Sequence, residues 1–250
     1  MNILICNDDG YQAKGIGVLA EVASKFGNVR VVAPDRNRTA ASHSLTLHKP
    51  LTIRQAENGF YYVSGTPTDC VYLALCIFDD FKPDWIFSGI NHGANMGDDV
   101  LYSGTVASAM QGYLMGIPAI AFSLDDKSND YWKTAEKSVE KVIERAIQLP
   151  IQKPVLWNVN IPKVQPHQLR GVKTVVLGQR HRNDSVIKSK NPYNETIYWI
   201  GHISDANYLV DNSDFVMNAN GYVTITPLAV DLTNTSELKN VSIFFDDLVL

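Results

Sequence analysis

Hydrophobic and polar positions along the 250-residue chain alternate between two patterns. The first pattern is a short continuous apolar run, typical of a strand buried on both faces. It occurs in NILIC (2–6), VRVVAP (29–34), PDWIFSG (83–89), PAIAFSL (118–124) and PVLWNVNIP (154–162). The second pattern has helical spacing and occurs in IGVLAEVASKFG (16–27), TPTDCVYLALCIF (66–78), SGTVASAMQGYLMG (103–116) and WKTAEKSVEKVIERAIQL (132–149). Strands and helices therefore alternate.

This alternation predicts an α/β fold with a doubly wound, mainly parallel sheet and helices on both faces. The pattern changes after residue 180, where YNETIYWIGHI (193–203) and FVMNANGYVTITPL (215–228) resemble strands. The Asn220–Gly221 pair is a hairpin turn signal. We therefore expect a catalytic α/β core over 1–180 and a β-hairpin-rich arm over 181–250.

Composition and charge narrow the class of protein. Hydrophobic residues make up 45% of the chain and charged residues 19%, and the net charge is −4, as in ordinary globular proteins. No basic surface for a nucleic-acid polymer or a membrane is expected. The three cysteines contain no C-x-x-C pair, and Met1 leads directly into a strand with no basic leader. A reducing, cytoplasmic location is therefore expected.

The candidate chemistry lies in loops that follow strands. In open α/β sheets, ligands bind beyond the carboxyl ends of the strands. The first such loop holds the adjacent carboxylates Asp8 and Asp9. The loop after DWIF holds Asn91 and Asn95, and a Ser103-Gly104-Thr105 triplet begins the next helix.

Paired carboxylates with amide and hydroxyl oxygens are the ligands that Mg²⁺ and Mn²⁺ prefer. A glycine-rich loop that leads into a helix N-terminus is suited to an anion. Together these features indicate phosphate chemistry beside a metal. Each motif alone also has a plainer interpretation, because D-D-G is often a turn and S-G-T a helix cap. No P-loop, G-x-G-x-x-G or G-x-S-x-G motif occurs.

Five segments in this order resemble the SurE family of metal-dependent 5′/3′-nucleotidases. They are ILICNDDG, VVAPDRNRTAASHSLTL, GTPTDCVYLAL, SGINHGANMGDDVLYSGTVASAMQG and GYVTITPL. The resemblance implies a Rossmann-like core and a C-terminal β-arm that forms a homodimer or homotetramer. It also implies hydrolysis of nucleoside monophosphates, with short polyphosphate as an additional substrate.

The resemblance also implies roles for single residues. One divalent metal ion per subunit, Mg²⁺ or Mn²⁺, is expected on Asp8, Asp9, Asn91 and the hydroxyl of Thr39. The family usually has Ser at this last position, and Thr adds a methyl group that stiffens χ1. Ser42, Ser44 and water are alternatives to Thr39. The phosphate is expected on Asn95, Ser103, Gly104 and Thr105.

Two mechanisms and two other protein classes stay open at this point. Asp8 or Asp9 accepts a proton from an attacking water, or one of them forms an aspartyl-phosphate. A receiver-type signalling domain also follows its first strand with an acidic pair. A non-catalytic nucleotide-binding protein is the other alternative, favoured only by the Thr39 substitution.

Overall fold

A nine-stranded sheet forms the centre of the computed structural model, which describes residues 1–180, 186–200, 206–207, 210–246 and 248. The strands are β1 (Asn2–Cys6), β2 (Asn28–Pro34), β3 (Ile53–Gln55), β4 (Tyr61–Val63), β5 (Trp85–His92), β6 (Ala119–Leu124), β7 (Leu156–Ile161), β8 (Val172–Thr174), β9 (Gln179–Arg180), β10 (Val186–Lys190), β11 (Thr196–Ile200), β12 (Ala206–Asn207) and β13 (Val223–Pro227). The α-helices are α1 (Lys14–Ser24), α2 (Pro67–Ile77), α3 (Gly104–Leu114), α4 (Trp132–Ala146), α5 (Asp214–Ala219) and α6 (Leu238–Phe245). Short 3₁₀ helices span Gly97–Leu101 and Pro166–Gln168.

The strand order is β3-β4-β2-β1-β5-β6-β7-β13-β8. Only the β3–β4 and β13–β7 pairs of this sheet are antiparallel. The chain proceeds from β1 to β2 in one direction and later from β5 to β7 in the other. The switch point therefore lies between β1 and β5, where a ligand crevice is expected. The predicted doubly wound, mainly parallel, Rossmann-like fold is confirmed.

Helices cover both faces of the central sheet, and β1 contributes apolar side chains to each face. Ile3 and Ile5 pack into a cluster with α1 and α4, while Leu4 and Cys6 pack into a second cluster with α2 and α3. Along a strand, successive side chains point to opposite faces, so NILIC contributes to both clusters. The continuous apolar run thus explains why β1 lies in the middle of the sheet.

The α4 helix is the clearest match between sequence pattern and structure. The apolar residues that helical spacing places on one side of α4 are buried or pack against the core. They are Trp132, Ala135, Val139, Val142, Ile143, Ala146 and Ile147. Thr134 and Ser138 are buried on the same face. The spacing alone therefore fixed both the helix and its inner side.

The C-terminal part differs from the expected set of hairpins at one point. Asn220 and Gly221 do not form a hairpin turn, so that prediction is wrong. Asn220 is the C-cap of α5, and Gly221 has a φ of +82° just after it. The segment is a helix end followed by β13, which lies in the central sheet between β7 and β8.

A β-rich arm is nevertheless present. β10 and β11 form a separate antiparallel pair whose side chains are largely exposed. The α6 helix follows β13 and has no buried residue. The division at residue 180 stays a prediction, because α5 and β13 return to the core. Among the described residues, no helix combines the length and apolar character needed to cross a bilayer.

Candidate metal and phosphate site

The loop after β1 is a tight turn at the carboxyl edge of the sheet. The side-chain amide of Asn7 donates to the carbonyl oxygen of Gly10 over 3.0 Å, and its oxygen accepts from the Gly10 N–H over 3.1 Å. Gly10 has a φ of +98°, and a Cβ there would lie 3.1 Å from the Arg36 backbone, so glycine is required. Asn7 and Gly10 close the turn, which leaves Asp8 and Asp9 free to act elsewhere.

Asp8 is the buried member of the pair, with 3% of its surface exposed. Its Oδ1 accepts a short hydrogen bond from the hydroxyl of Thr105. Burial raises the pKa of Asp8 from 3.8 to about 6, the charge of Asp9 adds to that rise, and the Thr105 hydrogen bond opposes it. The hydrogen bonds of Asp8 therefore do not fully compensate for the removal of its carboxylate from water.

Asp9 is only partly buried and accepts two long hydrogen bonds. The His92 N–H donates to its Oδ2 over 3.3 Å, and the Asn37 side-chain amide donates to its Oδ1 over 3.4 Å. Burial also raises the pKa of Asp9, and the His92 hydrogen bond lowers it. The end of β5 is thus joined to the turn after β1, across the switch point.

The residues present fit a divalent cation. Asp8 and Asp9 lie side by side, and the described residues place no Lys, Arg or His in an ion pair with either carboxylate. Two such carboxylates repel each other unless a positive charge is supplied. In the described part of the chain, no three or more His, Cys, Asp or Glu residues lie together in an arrangement that could hold a metal ion. Amide, hydroxyl and water oxygens would therefore have to complete the ligand set.

Asn91 presents the kind of oxygen that such a set needs. Its side-chain N–H donates to the Gly93 carbonyl over 2.8 Å, which fixes the amide plane. Its side-chain oxygen accepts no hydrogen bond within the described residues and is available to a ligand. Asn91 lies next to His92, whose backbone N–H contacts Asp9. The structure therefore brings Asn91 to the same edge through its neighbour.

Thr39 lies on the loop after β2, near Asp9 but held by Asn37. Its backbone N–H and its hydroxyl both donate to the side-chain oxygen of Asn37, over 2.8 and 2.6 Å. The alternative hydroxyls have other partners, because Ser42 donates to the Leu101 carbonyl and Ser44 to the Ala41 carbonyl. Of the three, only Thr39 has a hydroxyl linked through one residue to an aspartate.

The α3 helix begins directly against Asp8. Ser103 is the N-cap, and its hydroxyl accepts from the Val106 N–H over 3.1 Å. A Cβ on Gly104 would lie only 2.7 Å from the Asp8 Cβ, so glycine allows this approach. The first N–H groups of a helix have no partner within it. The helix therefore places anion-binding amides beside the carboxylates.

Asn95 is buried in a polar network behind the loop. Its N–H donates to the Asn160 side-chain oxygen over 2.8 Å, and its side-chain amide donates to the Ser123 hydroxyl over 2.8 Å. The side-chain amides of Asn158 and Asn160 both donate to its carbonyl oxygen, over 2.8 and 2.9 Å. Asn95 therefore makes its hydrogen bonds with β6 and β7, and not with the aspartates.

Sequence reasoning missed several residues of this site. Asn37, His92, Ser123, Asn158 and Asn160 were not expected to support it. A signal existed for two of them, because Asn158 and Asn160 alternate within the otherwise apolar strand PVLWNVNIP. Two amides on one face of a buried strand require polar partners. No comparable pattern marks Asn37 or His92.

The chain is similar to known proteins over nearly its whole length. A family model described as "Survival protein SurE" matches residues 3–184. The chain is 53% identical to a protein named "5'-nucleotidase SurE" from Neisseria gonorrhoeae, over 98% of this chain and 99% of that one. A protein of the same name from Chromobacterium violaceum is 50% identical over 97% and 98% of the two chains.

A solved structure is similar over the same extent. The crystal structure of a SurE protein from Aquifex aeolicus superposes with a TM-score of 0.87 at 38% identity. The match covers 98% of this chain and 99% of that one.

Proposed function

The chain belongs to the SurE family, and from this premise we propose that it is a metal-dependent nucleotidase. The reaction is hydrolysis of nucleoside 5′- and 3′-monophosphates to nucleoside and phosphate, with short polyphosphate as a further substrate. The observation that carries the proposal is the pair Asp8 and Asp9, which makes no ion pair within the described residues and lies beside the N-terminus of α3. The names of the relatives, "5'-nucleotidase SurE", support the substrate class.

One divalent ion per subunit, Mg²⁺ or Mn²⁺, is the proposed cofactor. Asp8, Asp9, Asn91 and Thr39 would hold it through oxygen atoms, which suits either ion. When bound, the ion supplies positive charge that polarises the phosphoryl group. The donor set consists of oxygen atoms alone, which favours these hard ions over softer metals.

The phosphate-binding part is proposed to be the start of α3 with Asn95. The backbone N–H groups of Gly104 and Thr105 lie in the first turn of α3, where N–H groups have no hydrogen-bond partner within the helix. Ser103 holds this turn through its cap. Asn95, fixed by the amides of β7, is proposed to bind a phosphoryl oxygen. These groups are already positioned, so binding orders the substrate more than the protein.

The catalytic groups are proposed to be Asp8 and Asp9. One of these two carboxylates would accept the proton of an attacking water. Thr105 donates to the Oδ1 atom of Asp8, so its Oδ2 atom is the one available. Direct attack by water and an aspartyl-phosphate intermediate both use this arrangement. Rapid acid quench with labelled substrate separates them, because only the second leaves label on an aspartate.

The proposed assembly is a homodimer or homotetramer in the cytoplasm. Exposed apolar side chains on β11 and α6, such as Trp199, Ile200 and Phe244, support association between copies. Cys6, Cys70 and Cys76 are all free, which agrees with a reducing compartment. No nucleic-acid polymer or membrane is expected as a partner.

The test is phosphate release from a panel of nucleoside 5′- and 3′-monophosphates with Mg²⁺, Mn²⁺ or excess EDTA. The Asp8→Asn/Asp9→Asn double variant should lose at least about 10³-fold in kcat/KM, because both charged ligands are removed. Asp79→Asn, an exposed acidic site on the chain, is the matched control and should keep full activity. Folded protein that releases no phosphate with any metal would instead indicate a nucleotide-binding role.

A further inference from the structure

Asn37 lies between two groups of the proposed metal site. Its side-chain oxygen accepts from the Thr39 N–H over 2.8 Å and from the Thr39 hydroxyl over 2.6 Å. Its side-chain amide donates to the Asp9 carboxylate over 3.4 Å. One amide group therefore touches both the hydroxyl and the carboxylate that are expected to bind one ion.

The direction of the Thr39 hydroxyl hydrogen matters for ligation. A neutral hydroxyl binds a cation through an oxygen lone pair, so its hydrogen must point to another acceptor. Here the Asn37 side-chain oxygen is that acceptor. The hydroxyl hydrogen therefore points to Asn37, and the lone pairs of the Thr39 Oγ1 atom remain available to a metal ion.

The same contact also fixes the side chain of Thr39. Thr39 and Asn37 are both exposed on a loop, where packing does not select a rotamer. The paired bonds from the Thr39 N–H and hydroxyl to one oxygen tie χ1 to the backbone, as in turns closed by an Asn side chain. This restraint holds the Thr39 hydroxyl in one orientation.

We propose that Asn37 is a positioning residue of the metal site, which orients the Thr39 hydroxyl for ligation by accepting its hydrogen. The inference rests on the proposed function, because it assumes an ion on Asp8, Asp9 and Thr39. Groups of this kind, which contact ligands but not the metal, typically change metal affinity by about 10-fold to 100-fold when removed.

The experiment is a titration of metal-free protein with Mn²⁺, in which free Mn²⁺ is followed by electron paramagnetic resonance. Asn37→Ala and Thr39→Ala should each raise the Mn²⁺ dissociation constant about 10-fold. The Asn37→Ala/Thr39→Ala double variant should be little weaker than the weaker single variant, because Asn37 acts mainly through Thr39 and its 3.4 Å contact with Asp9 is long for a hydrogen bond. This coupling is a readout that a general loss of structure would not produce.

The matched control is Asn58→Ala. Asn58 is also exposed, and its side-chain oxygen accepts the N–H of the residue two positions later, Phe60, over 3.1 Å. Asn58→Ala should leave Mn²⁺ affinity unchanged. In EDTA, Asn37→Ala should lower the melting temperature no more than this control does.

Four results would overturn the inference. These are wild-type affinity in Asn37→Ala, wild-type affinity in Thr39→Ala, multiplied losses in the double variant, and a larger drop in melting temperature in EDTA than the Asn58 control shows. Failure of the proposed function gives a different result. In that case wild-type protein shows no Mn²⁺ binding that the Asp8→Asn/Asp9→Asn variant removes.

Discussion

The switch-point edge of the sheet and the C-terminal helix α6 break opposite rules of burial. At the edge, polar groups are buried, including Asp8, Asn95 and Thr105. On α6, apolar groups are exposed, and Phe244 has 80% of its surface in contact with solvent. Both arrangements are unfavourable in an isolated chain, since burying polar groups and exposing large apolar patches each raise the free energy.

The two regions are compensated by different means. Most polar groups of the edge are satisfied within the chain, as Asn95 is by Ser123, Asn158 and Asn160. Two buried side-chain atoms there, His92 Nε2 and Asn158 Oδ1, make no hydrogen bond within the described residues, and the paired carboxylates carry a negative charge that a small ion can neutralise. On α6 the described residues leave the apolar side chains uncovered. The proposed metal ion would complete the edge, and the proposed association of copies would cover α6.

The largest expected effect concerns stability at the edge. The pKa of Asp8 is raised from 3.8 to about 6 in the folded protein, so the folded state binds this proton more tightly than the unfolded state. Without metal, the contribution of Asp8 to the free energy of unfolding should therefore fall by about 3 kcal/mol as the pH rises from about 4 to about 7.5. The raised pKa of Asp9 adds a change of the same sign.

Urea unfolding in EDTA across this pH range measures the effect. Asp8→Asn removes the titrating group, so the variant should lose less stability with rising pH and exceed wild type near neutral pH. Millimolar Mn²⁺ should reverse that order, because only wild type binds the ion well. If the free energy of unfolding depended on pH in the same way for wild type and Asp8→Asn, burial would not raise the pKa of Asp8.

The second prediction compares two helical glycines. Gly104→Ala would place a Cβ 2.7 Å from the Asp8 Cβ and 2.9 Å from its Oδ2. Because α3 must then move away from the carboxylate, kcat/KM should fall about 100-fold. Gly17 in α1 has nothing within 4 Å of its would-be Cβ. Gly17→Ala should keep activity and raise stability by about 0.5–1 kcal/mol.

Nucleotidase assays and thermal unfolding of both variants decide the result. If Gly104→Ala were as active as Gly17→Ala, the contact between α3 and Asp8 would be unimportant for catalysis. If Gly17→Ala also lost activity, the edge would be sensitive to helices in general and not to this one contact.

The sequence was sufficient to predict the parts of the fold that follow from local patterns. The apolar runs placed β1, β2, β5, β6 and β7, and the stripe on α4 fixed its buried face. The T-P-T-D segment that begins α2 has the sequence pattern of a capping box. In the structure the Asp69 N–H donates to the Thr66 hydroxyl, and the Asp69 carboxylate accepts from the Thr66 N–H. Each of these signals acts within a few residues along the chain.

Features that depend on distant contacts were not predictable in this way. The Asn220–Gly221 pair is a turn signal, but α5 and β13 pack on the core and convert it into a helix end. The contact of Asn37 with Asp9 joins residues on two loops. Asp8 and Thr105 were each predicted as site residues, but their contact arises only because β1 and α3 lie side by side at the switch point.

The smallest expected effect on activity concerns α6. Phe244→Asp replaces an exposed apolar side chain with a charge. The unfolding free energy of the separated subunit should hardly change, because Phe244 lies outside the core clusters of the described residues. The oligomer should dissociate at concentrations at least about 10-fold higher than in wild type, since an apolar interface would have to bury a carboxylate.

Sedimentation velocity and nucleotidase assays on the same samples test both halves of this statement. Activity per subunit should change by less than about 3-fold, because none of the residues proposed for the metal and phosphate site lies on α6. Asn240→Asp, an exposed polar position on the same helix, controls for charge and should leave the oligomer intact. A monomeric wild-type protein would contradict the partner role of α6. A loss of activity that follows dissociation would show that the edge and the arm are coupled, and that the contrast between them holds for burial but not for function.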